Sequence, residues 1–402
     1  MTVPIQLPCR LILLLSLAGC GAADGGAGFV ARDSAGIAIA TTLPSAQLPA
    51  WTLDPRPAVS IGAVDGPPET LLDDVQAALL RPDGGVVLAN GGTGELRWYD
   101  SAGSHVRTAG REGSGPGEFL MLTALARGAD GRVHAWDGTH LRVTTFTEDG
   151  RLDGTRTVTA DSLGGFVRLA GMLADRSPVL LDGSSPVFRV SDRTRRDPMR
   201  IWIGAPAGRL RHWMTVPGPE TYTWRIPDGS IRSPAPFGRG TQVAVGGDRL
   251  WVGDSERYEV RAYTPGGRLE RIVRRQGPLR DVAPAEIAAY RRTWRELTAS
   301  NPQAAGMADR AAAELPFPRT HPAFTALRLD ADGNLWVCER DDEEGSAWTV
   351  YDPDGRPLGQ IALPPRVQPL DVAGDRLVAR WQDESDVEFV HVYRFTRGAP
   401  EE

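Results

Sequence analysis

Lysine is absent from this chain: all 45 basic residues are arginine. Together with the alanine and glycine content this reflects a GC-rich coding bias, not a nucleic-acid signal. The formal net charge is −6 at pH 7. An acidic surface argues against DNA, RNA or anionic lipid as the main partner. Cysteine is scarce, at Cys9, Cys20 and Cys338 only, which excludes a disulfide framework. After the first twenty residues no apolar run approaches the roughly 20 residues of a membrane helix. Metalloprotease helices, phosphate loops, nucleophile elbows and paired-cysteine zinc spacings are also missing.

The amino end supplies an address. Leu11 to Ala18 is apolar and too short to span a bilayer, and it closes on Leu17-Ala18-Gly19-Cys20. A short apolar core ending in small residues is a secretory signal. Cys20 directly after Leu-Ala-Gly resembles a bacterial lipobox. That implies cleavage before Cys20, diacylglycerol on its thiol and acylation of the new amino terminus. The plainer alternative is an ordinary signal peptide with an incidental cysteine. Two or more acyl chains give stable anchoring. Gly21 stands where an inner-membrane retention Asp would sit, which favours the outer membrane, facing the periplasm. The expected organisation is a signal peptide over 1–19, a flexible Gly/Ala tether over 20–34 and one folded domain over 35–402.

Six acidic turns punctuate that domain, at Asp83, Asp130, Asp175, Asp248, Asp332 and Asp375, each between two short apolar strands. Asp83 to Asp130 is 47 residues, Asp130 to Asp175 is 45 and Asp332 to Asp375 is 43. A repeat of about 40–50 residues built from short strands predicts a β-propeller. One unit reads Leu327-Arg328-Leu329, Leu335 to Cys338, Trp348 to Tyr351 and Leu358 to Ala362, four strands joined by Asp/Gly turns. The last unit lacks a fourth strand, and Pro57 to Gly62 fits that vacancy. The expected fold is therefore all-β: a six-bladed propeller of four-stranded antiparallel blades, with a small helical insert and closure by an N-terminal strand. Ile37 to Thr41 is expected to add a strand outside that last blade.

The Gly-rich connection Gly110-Arg111-Glu112-Gly113-Ser114-Gly115-Pro116-Gly117-Glu118-Phe119 resembles the link between NHL-type blades. A degenerate copy runs from Gly62 to Leu71. The chain thus resembles the NHL-repeat/TolB-like propeller superfamily over roughly 55–397. The resemblance implies fold, not function, because propellers host hydrolases, lyases, sensors and scaffolds.

Two intervals are long: 73 residues from Asp175 to Asp248 and 84 from Asp248 to Asp332. Both excesses fall between a fourth strand and the next first strand, which in such propellers lie on one face near the channel mouth. The first, Ala205 to Gly240, is Pro/Gly-rich. The second, about 280–316, is helical: Pro284 suits a first turn, and Ile287, Tyr290, Trp294 and Leu297 form one apolar stripe. Gln303 to Glu314 reads as a second helix.

Candidate chemistry is sparse. Asn90, Asp137, Asp182, Asp254 and Glu339 end successive second strands, with Trp381 breaking the column. They could hold a metal at a channel mouth; more simply, Asp and Asn cap their own loops. His134, Asp137 and His140 are close in sequence, but strand alternation turns His134 away from Asp137, and His134 falls where other units carry Trp251 and Trp336. Asp341 to Glu344 is a solvated loop that could take calcium or another divalent cation; no cofactor is otherwise predicted. Cys338 reads as buried and inert. Arg111, Arg275 and Arg340 should share the insert face, and arginine suits bidentate capture of carboxylate or phosphate. Tyr222 and Trp294 could line a ligand wall, or simply pack the insert.

The expected function is a lipid-anchored, monomeric cell-envelope propeller binding an unknown protein or small molecule. The rival is a metal-dependent propeller hydrolase, lactonase or lyase with its site at the channel mouth. A purely structural envelope protein is the third reading.

Overall fold

The acidic turns behave as their chemistry dictates. Gly85 N–H donates to Asp83 Oδ1 (2.9 Å) and Ser177 N–H to Asp175 Oδ1 (2.9 Å), the Asx-turn geometry. In the fifth unit the accepting residue is Asp330, which takes N–H bonds from Asp332 and Asn334 (3.0 and 2.8 Å), rather than Asp332 as the spacing indicated. Two turns tighten to Gly247-Asp248 and Gly374-Asp375, with glycine φ of 56° and 60°. A two-residue hairpin needs that left-handed backbone.

The computed structural model describes residues 28–398 apart from 162, 165, 184–193, 206–207, 227–228, 300–308 and 310–312. Within them the strands form six four-stranded antiparallel units. The first strand of each is Val75–Leu80, Leu122–Arg127, Val167–Met172, Thr241–Gly246, Ala326–Leu329 and Gln368–Ala373. These six strands line a central channel. The chain is a β-propeller.

Packing closes the ring. Each pair of neighbouring units encloses its own apolar core. Leu96 and Trp98 of unit 1 meet Leu122, Val133 and Phe146 of unit 2. The core between the last unit and the first sets Val378, Val390 and Val392 against Val86, Leu88 and Tyr99. Trp98, Trp136 and Trp251 are fully buried. Each fully buried large apolar side chain contributes about 1.5–3 kcal/mol.

The N-terminal segment laces three units together. Val59–Ile61 pairs antiparallel with Glu388–Thr396 and completes unit 6 as expected. Ala50–Leu53 adds a parallel strand outside Pro357–Leu363 of unit 5 and also reaches Phe395. Its Trp51 is buried and stacks on Phe395 with ring centroids 5.5 Å apart. Ile37–Thr42 does not join unit 6. It pairs in parallel with Leu269–Arg275 of unit 4 and covers that unit's outer edge. Phe29–Ser34 continues the same sheet, so strand structure begins inside the stretch expected to be tether, and ahead of residue 35.

The Pro/Gly-rich stretch from Ala205 is not irregular. Leu210–Ile226 is one 17-residue strand. Its first half is the fourth strand of unit 3; its second half leaves the ring and forms a hairpin with Gly229–Pro234. Pro217 and Pro219 are accommodated beside a register shift. The helix Pro284–Ala299 forms as predicted. The second helix, Gln303 to Glu314, lies largely outside the described residues.

Candidate functional site

Fourth-to-first connections leave by one face of the ring, and the Asp/Gly turns between first and second strands lie on the other. Both inserts belong to the first face, and they meet. Tyr222 of the unit 3 hairpin and Leu315 are buried together, with Tyr290, Trp294 and Phe317 packed against them. Phe237 contacts Tyr290, Phe317 and His321, with centroids at 5.8, 6.1 and 4.7 Å. Arg239 Nη2 donates to Thr320 Oγ1 (2.9 Å). Tyr290 and Trp294 of the helix thus pack in one cluster with Tyr222 of the other insert and with Leu315 and Phe317 of their own. Tyr222 and Trp294 serve this packing.

The helix is fastened at its start. Glu286 accepts from Ala283 N–H (2.8 Å), the reach-back of a capping box, and from Arg280 Nη1 (2.7 Å). His321 Nε2 lies 3.1 Å from Glu286 Oε1. Burial opposes the ionisation of Glu286, but the Ala283 N–H, Arg280 and His321 together hold its pKa at about 2.

Beside the inserts, between units 4 and 5, is a cleft of about 430 Å³ that includes Tyr258, Arg275, Arg280, Ala323, Glu339 and Arg340. Arg275 and Arg340, predicted to share a face, are brought into this one hollow. Arg111 is not; it pairs with Glu118 on the Gly-rich connection (2.7 Å), with 77% of its side chain exposed.

The cleft floor is a polar network. Arg275 Nη1 donates to both oxygens of Glu339 (2.5 and 2.6 Å). Tyr258 OH and Thr349 Oγ1 donate to Glu339 Oε1 (2.8 and 2.6 Å), and Tyr351 OH donates to Tyr258 OH (3.0 Å). Burial raises the pKa of Tyr258, and that of Tyr351 to about 12, so both hydroxyls stay neutral. Arg280 is held by Glu286, and Arg340 by Glu344 (2.8 Å). Every guanidinium of the cleft therefore has its carboxylate.

The column of second-strand ends is a set of loop caps. Asn90 Oδ1 accepts from Asp73 N–H (2.8 Å). Asp137 accepts from Thr139, His140 and Leu120 N–H groups, and His140 Nδ1 lies 2.6 Å away. Asp182 accepts from Gly164 N–H and Arg200; Asp254 from Glu256 N–H and Arg196. These carboxylates take backbone, histidine or arginine donors, while Asp182 Oδ1 is buried without a partner. His134 is fully buried against Thr145 (3.0 Å), and burial lowers its pKa to about 4. Among the described residues no group of three or more His, Cys, Asp or Glu is arranged to hold a metal. Asp341 to Glu344 forms a hairpin tip, in which Glu344 N–H donates to Asp342 (3.1 Å) and Arg340 bridges to Glu344. Cys338 is buried, with its pKa pushed up to about 12.

Sequence reasoning missed the channel. The hollow there measures about 360 Å³ and is lined by the turn-side halves of the first strands. The six first strands hold only four charged residues: Arg127, Arg168, Arg328 and Asp371. Arg168 sits at the second position of its strand, near the insert-side opening. It remains in contact with solvent, yet the surrounding protein lowers its pKa by desolvation. Equivalent register positions elsewhere carry Gln76, Thr123 and Gln242, amide and hydroxyl groups.

No protein-family description and no curated protein matches the chain. Solved structures do. A member of the DUF4221 family from Bacteroides vulgatus is 9% identical, with a TM-score of 0.48 over 88% of this chain and 100% of that one. A candidate exported protein of Bacteroides fragilis is 11% identical, with a TM-score of 0.47 over 89% and 99%. Virginiamycin B lyase from Staphylococcus aureus is 11% identical, with a TM-score of 0.39 over 83% and 82%. The fold assignment rests on the strand pairings, and these likenesses add no function to it.

Proposed function

We propose that this chain is a lipid-anchored binding module of the bacterial cell envelope, a monomeric six-bladed propeller of the NHL/TolB-like kind. It is carried on Cys20 at the outer membrane, facing the periplasm. The observation that carries the binding reading is the 430 Å³ cleft beside the two inserts. Both large departures from the repeat collect on that face, and loops on a rigid scaffold are where binding residues usually sit. The anchor reading rests on the Leu17-Ala18-Gly19-Cys20 sequence. Phe29 begins the first strand nine residues after Cys20. At about 3.3–3.6 Å per extended residue the outer edge of unit 4 would lie within roughly 30 Å of the bilayer. The rival hydrolase or lyase would have to recruit carboxylates already committed to loop capping.

Two measurements test this. Intact-mass analysis of the membrane fraction should find Cys20 acylated, and Cys20→Ala should release the chain from that fraction. An unmodified Cys20 in wild-type membranes ends the anchor reading. A photo-crosslinking residue at Arg340, on the cleft rim, should capture a discrete partner or ligand in cells. If the same residue at Val106, on the bare outer strand of unit 1, gives the identical pattern, the cleft is not a binding site.

A further inference from the structure

The channel and the cleft are different hollows on opposite faces, so a site in the channel stands or falls independently of ligand binding in the cleft. The overall chain is acidic, at −6, yet the charged residues of its innermost strands are three arginines and one aspartate. Two of the arginines, Arg127 of unit 2 and Arg328 of unit 5, line the channel hollow together with Asp371 of unit 6. Arg127 Nη2 pairs with Asp371 Oδ2, which also accepts Leu80 N–H (2.8 Å). Arg328 has only a backbone bond, from Nη1 to Leu370 C=O (3.2 Å). Its Nε–H is buried with no acceptor. A buried, charged donor left unpaired is strongly disfavoured. A second carboxylate on the lining, Asp330, is taken up by the N–H groups of Asp332 and Asn334, the Asn334 amide and Trp336 Nε1, so the arginines have only Asp371 as a partner and one donor edge of Arg328 is unused.

The remaining lining includes small or apolar groups such as Ala129, Gly171, Ala174, Val245 and Ala331. At about 360 Å³ the hollow falls in the size range of small-molecule sites. Arg127 keeps 32% of its side-chain surface and Asp371 11%, so the site communicates with solvent.

We propose that the turn-side channel binds a small oxyanion, a carboxylate or phosphate group, between Arg328 and Arg127, with Asp371 as the resident counter-charge that the ligand competes against. The planar edge of Arg328 is the fork that carboxylate and phosphate oxygens accept in bidentate fashion. Desolvation by burial raises the Asp371 pKa despite Arg127 and Arg328, the two charged groups facing it, so its claim on them is weakened.

The test uses the full chain, with inorganic phosphate and malonate as probes at matched ionic strength against sodium chloride. Thermal unfolding and titration calorimetry are read on the wild type, Arg328→Met and Asp371→Asn. The wild type should bind at least one probe, and ligand should raise its Tm by mass action. Phosphate alone, malonate alone or both would assign the class to phosphate, carboxylate or oxyanions generally. Arg328→Met should weaken binding by about tenfold or more, the worth of a charge-assisted bidentate contact. Asp371→Asn keeps an acceptor for Leu80 N–H but removes the competing charge, so it should tighten binding severalfold. Misfolding cannot produce that gain, so this arm decides the matter if Arg328→Met fails to fold. No binding of either probe to the wild type overturns the proposal, as does unchanged affinity in Asp371→Asn.

Discussion

In the insert-side cleft Arg275, Arg280 and Arg340 each have a carboxylate within hydrogen-bonding distance. In the turn-side channel Arg127 and Arg328 share Asp371. The cleft has more arginines, a larger volume and the inserts beside it, yet its charges are locally cancelled. The channel has fewer, and Arg328 has no carboxylate bonded to it and a buried Nε–H without an acceptor. An ion pair at contact distance presents little net field beyond itself, whereas an unbalanced guanidinium in a low-dielectric hollow keeps its full attraction for an anion. Arginine count is therefore a poor locator of an anion site; the balance of each guanidinium against its partners is the useful quantity. By that measure the cleft suits a shape-recognised ligand that leaves the pairs intact, and the channel suits a charged one.

The largest effect should come from unbalancing the cleft. Glu339→Ala leaves Arg275, Tyr258 and Thr349 without their shared acceptor. Removing one partner of a largely buried pair costs about 3 kcal/mol or more. Denaturant unfolding should show that loss with an unchanged m-value. A loss too small to resolve would mean that the cleft network is solvated and that the two hollows are not electrically different.

Balancing the channel should act in the opposite direction and more weakly. Without ligand, Arg328→Met removes an orphaned buried donor and gives up one long bond to Leu370 C=O. The outcome should lie between no change and a gain of about 1 kcal/mol, since a well-packed apolar replacement of a buried charge is often neutral or stabilising. A loss comparable with that of Glu339→Ala would show that Arg328 is structurally satisfied.

The difference between the two regions also marks what the sequence could convey. The ring was legible because Asp and Gly at fixed intervals fix turns by local chemistry, and Val59–Ile61 was legible because the last unit visibly lacked a strand. The placement of Ile37–Thr42 was not legible. An edge strand in parallel pairing with residues some 230 positions away carries no local code for its partner. The hairpin of unit 3 was hidden by Pro217, Gly218 and Pro219, which break the alternation that marks a strand. At the sites, Arg275 and Arg340 line one hollow, because equivalent repeat positions share a face. Their neutralisation by Glu339 and Glu344 required side-chain geometry. The channel charges did leave a trace: Arg127, Arg328 and Asp371 stand among Leu79, Ala126, Gly171 and Ala244 near the ends of first strands. Aligning first strands, and not only the ends of second strands, would have exposed them.

The smallest expected effect is a slope. Burial raises the folded-state pKa of Asp371 above its ordinary value, against the opposing pull of Arg127. A carboxyl group shifted upward binds protons more readily in the folded chain than in the unfolded one. Its contribution to stability is therefore complete below about pH 3.9, the unfolded value, and is lost as pH rises through the folded pKa. Asp371→Asn should remove that component and leave the rest of the acid limb unchanged. The rest includes Glu286, whose depressed pKa of about 2 acts with opposite sign, losing stability as pH falls below its unfolded value. Stability curves of wild type and Asp371→Asn should thus diverge only on the acid side, with the wild type gaining relative to the variant as pH falls. Parallel curves would mean that Arg127 and Arg328 fully offset the burial of Asp371, and the channel would then be as balanced as the cleft.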